Sequence, residues 1–113
     1  PEVLLPAVAQ GAIGIECRTG DKRIETLLAA ISCPTTFDRV ACERAMLAAL
    51  DGSCRTPIAA LSLIQPDGSL WLRGLVASLD GQHVWRAERR GVLADGVAMG
   101  DDAGRELRAV ASW

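Results

Sequence analysis

The spacing of apolar residues changes near residue 57, and this change limits the kind of fold that the chain can adopt. Before that point, apolar residues recur at i, i+3, i+4 and i+7 over residues 22–32, which is typical of one face of a helix. After it, residues 57–65, 69–79 and 83–91 read as strands with alternating side chains. The sequence therefore predicts helices first and a sheet afterwards.

The helical part divides at Pro34, where one predicted helix stops and another begins. The first helix covers about residues 22–32, with Asp21 as its N-cap. The second begins at the Thr-x-x-Asp pattern of residues 35–38 and runs to about Leu50. The residues that we expect to face inward on it are Phe37, Val40, Ala41, Leu47 and Ala48.

The three predicted strands are joined by two short turns that favour hairpins, Pro66-Asp67-Gly68 and Asp80-Gly81. On the middle strand, the face expected to lie in the core carries Leu70, Leu72, Gly74 and Val76. The last strand is rich in charge and is predicted to be a solvated edge.

A weaker helix follows over residues 94–111. Its apolar anchors are Val97, Leu107 and Val110. Gly96, Gly100 and Gly104 each cost about 1 kcal/mol of helix propensity relative to alanine. Their regular spacing would nevertheless permit close packing of this helix on the sheet.

An apolar stretch at residues 12–18 precedes all of these elements and reads as a short strand, in which Cys17 would be buried. Together the elements predict an α+β domain. It has a three-stranded antiparallel sheet with about three helices on one face, preceded by an extended arm or strand.

Composition excludes several classes of function. The net charge of −2 argues against a dedicated nucleic-acid binder, and no apolar run approaches the ~20 residues of a membrane span.

The sequence has four cysteines and no Cys-x-x-Cys pair among them, which argues against structural zinc. They are Cys17, Cys33, Cys42 and Cys54. With no secretory signal in the sequence, we expect reduced thiols and a cytoplasmic location.

Cys54 has the most unusual position among the cysteines, since it lies between the end of a helix and the start of a strand. Arg55 would favour its thiolate, whereas the C-terminal end of the preceding helix would oppose it. His83 cannot be placed beside it from the sequence. The residues alone therefore leave two readings open, a functional thiol and an ordinary loop cysteine.

Three segments of the sequence, taken together, indicate a family more specifically than any one of them does. LPAVAQGAIGIECR at 5–18, VACERAMLAALDGSCRTPIA at 40–59 and LWLRGLVASLDG at 70–81 resemble the C-terminal part of the porphobilinogen deaminase (hydroxymethylbilane synthase) family. The resemblance implies a transferase that polymerises four porphobilinogen units into hydroxymethylbilane and releases ammonia at each step. It also implies a covalent dipyrromethane cofactor, which primes the growing chain.

The resemblance assigns residues to this chemistry. Cys54 would carry the cofactor through a thioether, with further cofactor contacts from Arg18, Arg44, Ser53 and Arg55. Gln10 and Gly11 would contact substrate. Arginines suit this role because each pyrrole carries an acetate and a propionate, which guanidinium groups bind in bidentate fashion. The family usually has glycine at the position of Ala9, and commonly Gly where this chain has Ser53.

The resemblance also implies missing parts. Residues 1–19 would be a hinge and strand belonging to a preceding domain, and residues 20–113 the cofactor-carrying domain. No catalytic residue is expected within this chain, so we expect the fragment to be inactive, with a free Cys54 thiol and no cofactor. Expected partners are porphobilinogen, the growing oligopyrrole chain and the missing N-terminal domains, in a monomeric full-length enzyme with no metal, membrane or nucleic acid.

Two alternatives belong to other classes. The first is a stand-alone binding or assembly module with the same fold. The second is a thiol-based redox protein, which is disfavoured because the sequence has no resolving cysteine at a motif spacing. For the arm at residues 12–18 we expect either mobility or pairing with a second copy of the chain.

Overall fold

The computed structural model of this chain describes residues 1–51 and 57–111. These residues form an α+β fold, which confirms the predicted class. Its elements in chain order are α1 (Lys22–Ile31), α2 (Pro34–Ala49), β1 (Ile58–Ile64), β2 (Leu70–Ala77), β3 (Val84–Gly91), a single 3₁₀ turn (Leu93–Asp95) and α3 (Gly96–Val110).

The sheet is antiparallel with the strand order β1-β2-β3. Its two connecting turns contain Gly68 at φ +85° and Gly81 at φ +73°, conformations that other residues rarely adopt. Along β2, buried and half-buried residues alternate strictly, and Leu70, Leu72, Gly74 and Val76 are the buried ones. The predicted core face of this strand is therefore confirmed.

β3 is the solvated edge that the sequence predicted. Ala87, which pairs with Gly74 of β2, is buried, whereas Glu88 and Arg90 are exposed. Arg89 points to the helical side and reaches two carboxylates of α3, Asp102 and Glu106.

α2 lies on the sheet with a different face from the one predicted. Phe37 is 69% exposed and Ala48 is also exposed, whereas the buried residues are Cys42, Glu43 and Met46. The helix also starts earlier, with Cys33 at the N-cap and Pro34 in its first turn. Apolar residues occur on several sides of α2, so their periodicity alone could not identify the face that meets the sheet and α3.

α3 packs closely against α2, and its glycines make that approach possible. A Cβ on Gly100 would lie 2.1 Å from the Cys42 carbonyl oxygen, and one on Gly104 would lie 2.6 Å from the Met46 carbonyl oxygen. The sequence predicted close packing on the sheet, and Gly96 does lie there, since a Cβ on it would be 3.0 Å from the Leu70 side chain of β2. Gly100 and Gly104 instead meet α2. Of the predicted anchors Leu107 is buried, while Val97 and Val110 are each more than half exposed.

Residues 12–18 form no strand, contrary to the sequence prediction. Ile13 is 90% exposed, and Cys17 is exposed as well. A strand needs a neighbour for its N–H and C=O groups. The amide of Ala60 on β1 donates to the carbonyl of Pro6, which precedes this stretch in the chain, and not to residues 12–18. The stretch therefore remains outside the sheet of the described structure.

Candidate functional site

The segment before α1, residues 1–19, is called the arm from here on, and it makes a tight turn at residues 8–11, which we call the hinge turn. The Gln10 amide donates to the Ala7 carbonyl at 3.1 Å, and the Ala12 amide donates to the Ala9 carbonyl at 3.1 Å. Ala9 has φ +58° and Gly11 has φ +83°. Gln10 and Gly11, the two predicted substrate residues, are exposed at this turn.

A buried carboxylate ties the hinge turn to the domain. Glu43 of α2 is only 4% exposed. Its Oε1 accepts the Ala9 amide at 2.9 Å, and its Oε2 accepts the Ser62 amide of β1 at 2.9 Å. Charged acceptors strengthen such bonds, so one side chain joins the arm, α2 and β1.

A second contact between α2 and β1 supports the same junction. Arg39, one helical turn before Glu43, donates from Nε to the Ser62 carbonyl at 2.7 Å. The Ser62 hydroxyl lies 2.8 Å from the Arg39 carbonyl oxygen and 3.0 Å from Glu43 Oε2. Ser62 is fully buried, and these partners satisfy its polar groups.

A groove of about 560 Å³ lies between the arm, α1 and the start of α2. Its walls are largely apolar and include Ile13, Ile15, Ile31 and Phe37. Arg44, a predicted cofactor residue, also lines this groove and is exposed. The arrangement places a cation beside apolar surface, which suits an organic ligand that carries carboxylates.

Arg18 is exposed on the arm and is not among the residues lining this groove. The structure therefore brings Arg44 next to the arm but does not bring Arg18 into the same groove. Ser53, Cys54 and Arg55, the remaining predicted cofactor residues, lie outside the described residues.

Cys33 also lines this groove, and no role was predicted for it from the sequence. Its thiol lies 3.4 Å from the Thr35 hydroxyl and accepts from the Thr36 hydroxyl at 3.2 Å. These hydrogen bonds, Thr35 first, lower the pKa of Cys33 to about 7. Burial, with the nearby Glu43 charge, instead raises the pKa of Cys42 to about 11. The sequence Cys33-Pro34-Thr35-Thr36 could have indicated this, because it places two hydroxyl groups within three residues of the thiol.

Other kinds of site find no support in residues 1–51 and 57–111. Within these ranges no group of three or more His, Cys, Asp or Glu side chains is arranged to hold a metal ion. The helices that they form are too short or too polar to cross a membrane.

Comparison with known proteins gives a consistent family. The family model for the C-terminal domain of porphobilinogen deaminase matches residues 37–109. The porphobilinogen deaminase of Paracoccus denitrificans is 56% identical over 96% of this chain and 34% of its own length. That of Sorangium cellulosum is 46% identical over 96% of this chain and 37% of its own length.

These matches point to one class of protein, since all of them carry the name porphobilinogen deaminase. The chain belongs to the porphobilinogen deaminase family, and its residues 37–109 correspond to the C-terminal domain. It spans about a third of the length of the curated relatives that it matches.

Proposed function

We propose that the protein containing this chain is a hydroxymethylbilane synthase, which joins four porphobilinogen units head to tail and releases ammonia at each step. The observation that carries this proposal is the 56% identity to a porphobilinogen deaminase over 96% of the chain. Identity at that level extends across both the arm and the compact domain, so it is not limited to one motif.

The role that we propose for this chain is to hold the dipyrromethane cofactor through Cys54. The cofactor supplies the primer on which the oligopyrrole grows. Its acetate and propionate groups require cations, and Arg44 offers one beside the apolar groove. Exposed Arg18 is a second available guanidinium. Ser53 and Arg55 flank the attachment residue in the sequence, and we assign them to the same cofactor.

The remaining roles follow from the same proposal. Gln10 and Gly11 contact substrate from the hinge turn, where both are exposed. Residues 1–19 belong with a preceding domain, and residues 20–113 form the cofactor-carrying domain. The catalytic groups lie in the rest of a monomeric cytoplasmic enzyme, so this chain by itself is inactive and keeps a free thiol at Cys54.

The test is intact mass and peptide mapping of the full-length protein and of this chain after incubation with porphobilinogen. We expect a dipyrromethane adduct on Cys54 in the full-length protein and none in the chain alone. Cys54→Ser should abolish the adduct and hydroxymethylbilane formation, whereas Cys17→Ser should preserve both. A bare Cys54 in the full-length protein would refute the proposal and favour a non-catalytic module. Ammonia release by the chain alone would refute its predicted inactivity.

A further inference from the structure

We propose that Glu43 is a positioning residue that fixes the hinge turn on the domain, and that this contact sets where the arm leaves it. The kinetic consequence rests on the proposed function, whereas the structural contact does not. Glu43 itself touches neither substrate nor cofactor in this proposal. It acts through the backbone of Ala9, the residue immediately before Gln10 and Gly11.

The two carboxylate oxygens of Glu43 serve two different segments. Oε1 binds the amide of Ala9, 34 residues earlier in the chain, and Oε2 binds the amide of Ser62, 19 residues later. Because Glu43 is buried, little water competes for these bonds. A neutral side chain of the same shape would keep its oxygen toward Ser62, whose amide and hydroxyl both lie within hydrogen-bond distance of Oε2. Its NH₂ group would then face the Ala9 amide, and that bond would be lost.

The contact is made at a residue whose backbone conformation is unfavourable. Ala9 has φ +58°, a conformation that alanine disfavours because its Cβ crowds the backbone. Such conformations persist when surrounding contacts hold them. The Glu43–Ala9 hydrogen bond is a contact of this kind, and it acts on the strained residue itself.

The positions on either side make Ala9 a boundary. Before it, Pro6 accepts a hydrogen bond from Ala60 of β1 at 3.1 Å, and Val8 packs against the core. After it, Gln10 and Gly11 are exposed, and residues 12–18 form no strand in the described structure. Loosening Ala9 would therefore change the direction in which residues 10–18 leave the domain.

The experiment compares the full-length protein with its Glu43→Gln variant by hydrogen exchange and steady-state kinetics. We expect the Ala9 amide to exchange at least about tenfold faster, as the loss of a hydrogen bond to a charged acceptor predicts. The amides of β2 should keep their wild-type exchange. Ser62→Ala is the matched control, since it removes a hydroxyl from the same cluster but leaves the Ala9 bond, and it should keep the Ala9 exchange rate.

The kinetic expectation separates positioning from general loss of structure. Glu43→Gln should lower kcat while KM for porphobilinogen and the mass of the bound cofactor stay unchanged. Adding Ala9→Gly should restore part of kcat, because glycine adopts positive φ without support. If Glu43→Gln fails to fold, Glu43→Asp, which is one methylene shorter, should show the same faster exchange at Ala9.

Three results would overturn the proposal. They are unchanged exchange at Ala9, faster exchange at Ala9 and β2 together, and faster exchange at Ala9 with unchanged kcat. A wild-type protein that forms no hydroxymethylbilane would instead refute the proposed function. The exchange comparison would still decide whether Glu43 holds the hinge turn.

Discussion

Gly100 of α3 lies so close to Cys42 of α2 that a Cβ on the glycine would be 2.1 Å from the Cys42 carbonyl oxygen. The Cys42 carbonyl oxygen belongs to the helix backbone, so it cannot move aside as the end of a flexible side chain can. The same Cβ would also lie 3.1 Å from the Ala45 Cβ. Glycine at this position therefore determines how closely the two helices approach.

Gly100→Ala should destabilise the chain, even though alanine has the higher helix propensity. Overpacking typically costs ~1–3 kcal/mol, and separating two packed helices falls at the upper end of that range. We expect the free energy of unfolding, measured by urea denaturation, to fall by about 2 kcal/mol. Gly14→Ala is the control, since nothing lies within 4 Å of a Cβ there. Equal stability of the two variants would contradict the close contact.

Arg89 joins β3 to α3 through two carboxylates. Its Nε donates to Asp102 Oδ2 at 2.9 Å and its Nη2 to Glu106, and the Glu106 contact is the main reason that the pKa of Arg89 is raised. Arg89→Met should lower the free energy of unfolding by about 1 kcal/mol. Arg105→Met removes one pair with Asp101 from a side chain that is 75% exposed. That control should change stability by less than about 0.5 kcal/mol.

Salt provides a further check on the Arg89 contacts. Their contribution should shrink when denaturation is repeated in 1 M NaCl, where the Debye length falls to about 3 Å. A loss in Arg89→Met that does not depend on salt would indicate that the aliphatic part of Arg89, and not its charge, stabilises this edge.

The sheet was predictable because its information is local. Strict alternation along β2 selected Leu70, Leu72 and Val76 as core residues, and the two glycine turns defined the hairpins. The buried face of α2 was not predictable in this way. Glu43 is buried because both of its oxygens meet backbone amides of distant segments, and no periodicity within the helix encodes that.

The candidate site likewise contains residues that the sequence could predict and a contact that it could not. The roles of Cys54, Arg44 and Arg18 came from a family resemblance carried by whole segments, and they remain predictions. Residues 12–18 have a sequence suited to a strand, but a strand also requires a partner in space. The hydrogen bond between Glu43 and Ala9 of the hinge turn could not be predicted, because the two residues lie 34 positions apart in the sequence.

Among the cysteines at residues 1–51 and 57–111, Cys33 should be the one whose alkylation changes most near neutral pH. Its pKa is lowered to about 7, chiefly by the Thr35 hydroxyl. Since the thiolate is the nucleophile, its rate of reaction with iodoacetamide should rise with pH and be half-maximal near pH 7. Buried Cys42, with a pKa raised to about 11, should stay unlabelled in the native protein at neutral pH. Peptide mapping distinguishes the cysteines.

Removing the Thr35 hydroxyl should shift this profile in a defined direction. Thr35→Val deletes the largest contribution that lowers the pKa of Cys33, so the half-maximal rate should move to higher pH. Thr26→Val is the control, because its hydroxyl donates to the Lys22 carbonyl on α1. An unchanged midpoint in Thr35→Val would show that this hydroxyl does not stabilise the thiolate.

Ala9→Gly should stabilise the chain, which is the reverse of the usual effect of glycine. The cost of placing alanine in the left-handed region is about 1–2 kcal/mol, and Ala9 has φ +58°. The greater entropy of glycine in the unfolded chain offsets about 0.5–1 kcal/mol of the relief. The net gain in the free energy of unfolding should therefore approach about 1 kcal/mol. Ala7→Gly, at a residue without positive φ, should be neutral or destabilising. A loss of stability in Ala9→Gly equal to that in Ala7→Gly would mean that Ala9 is not strained in solution.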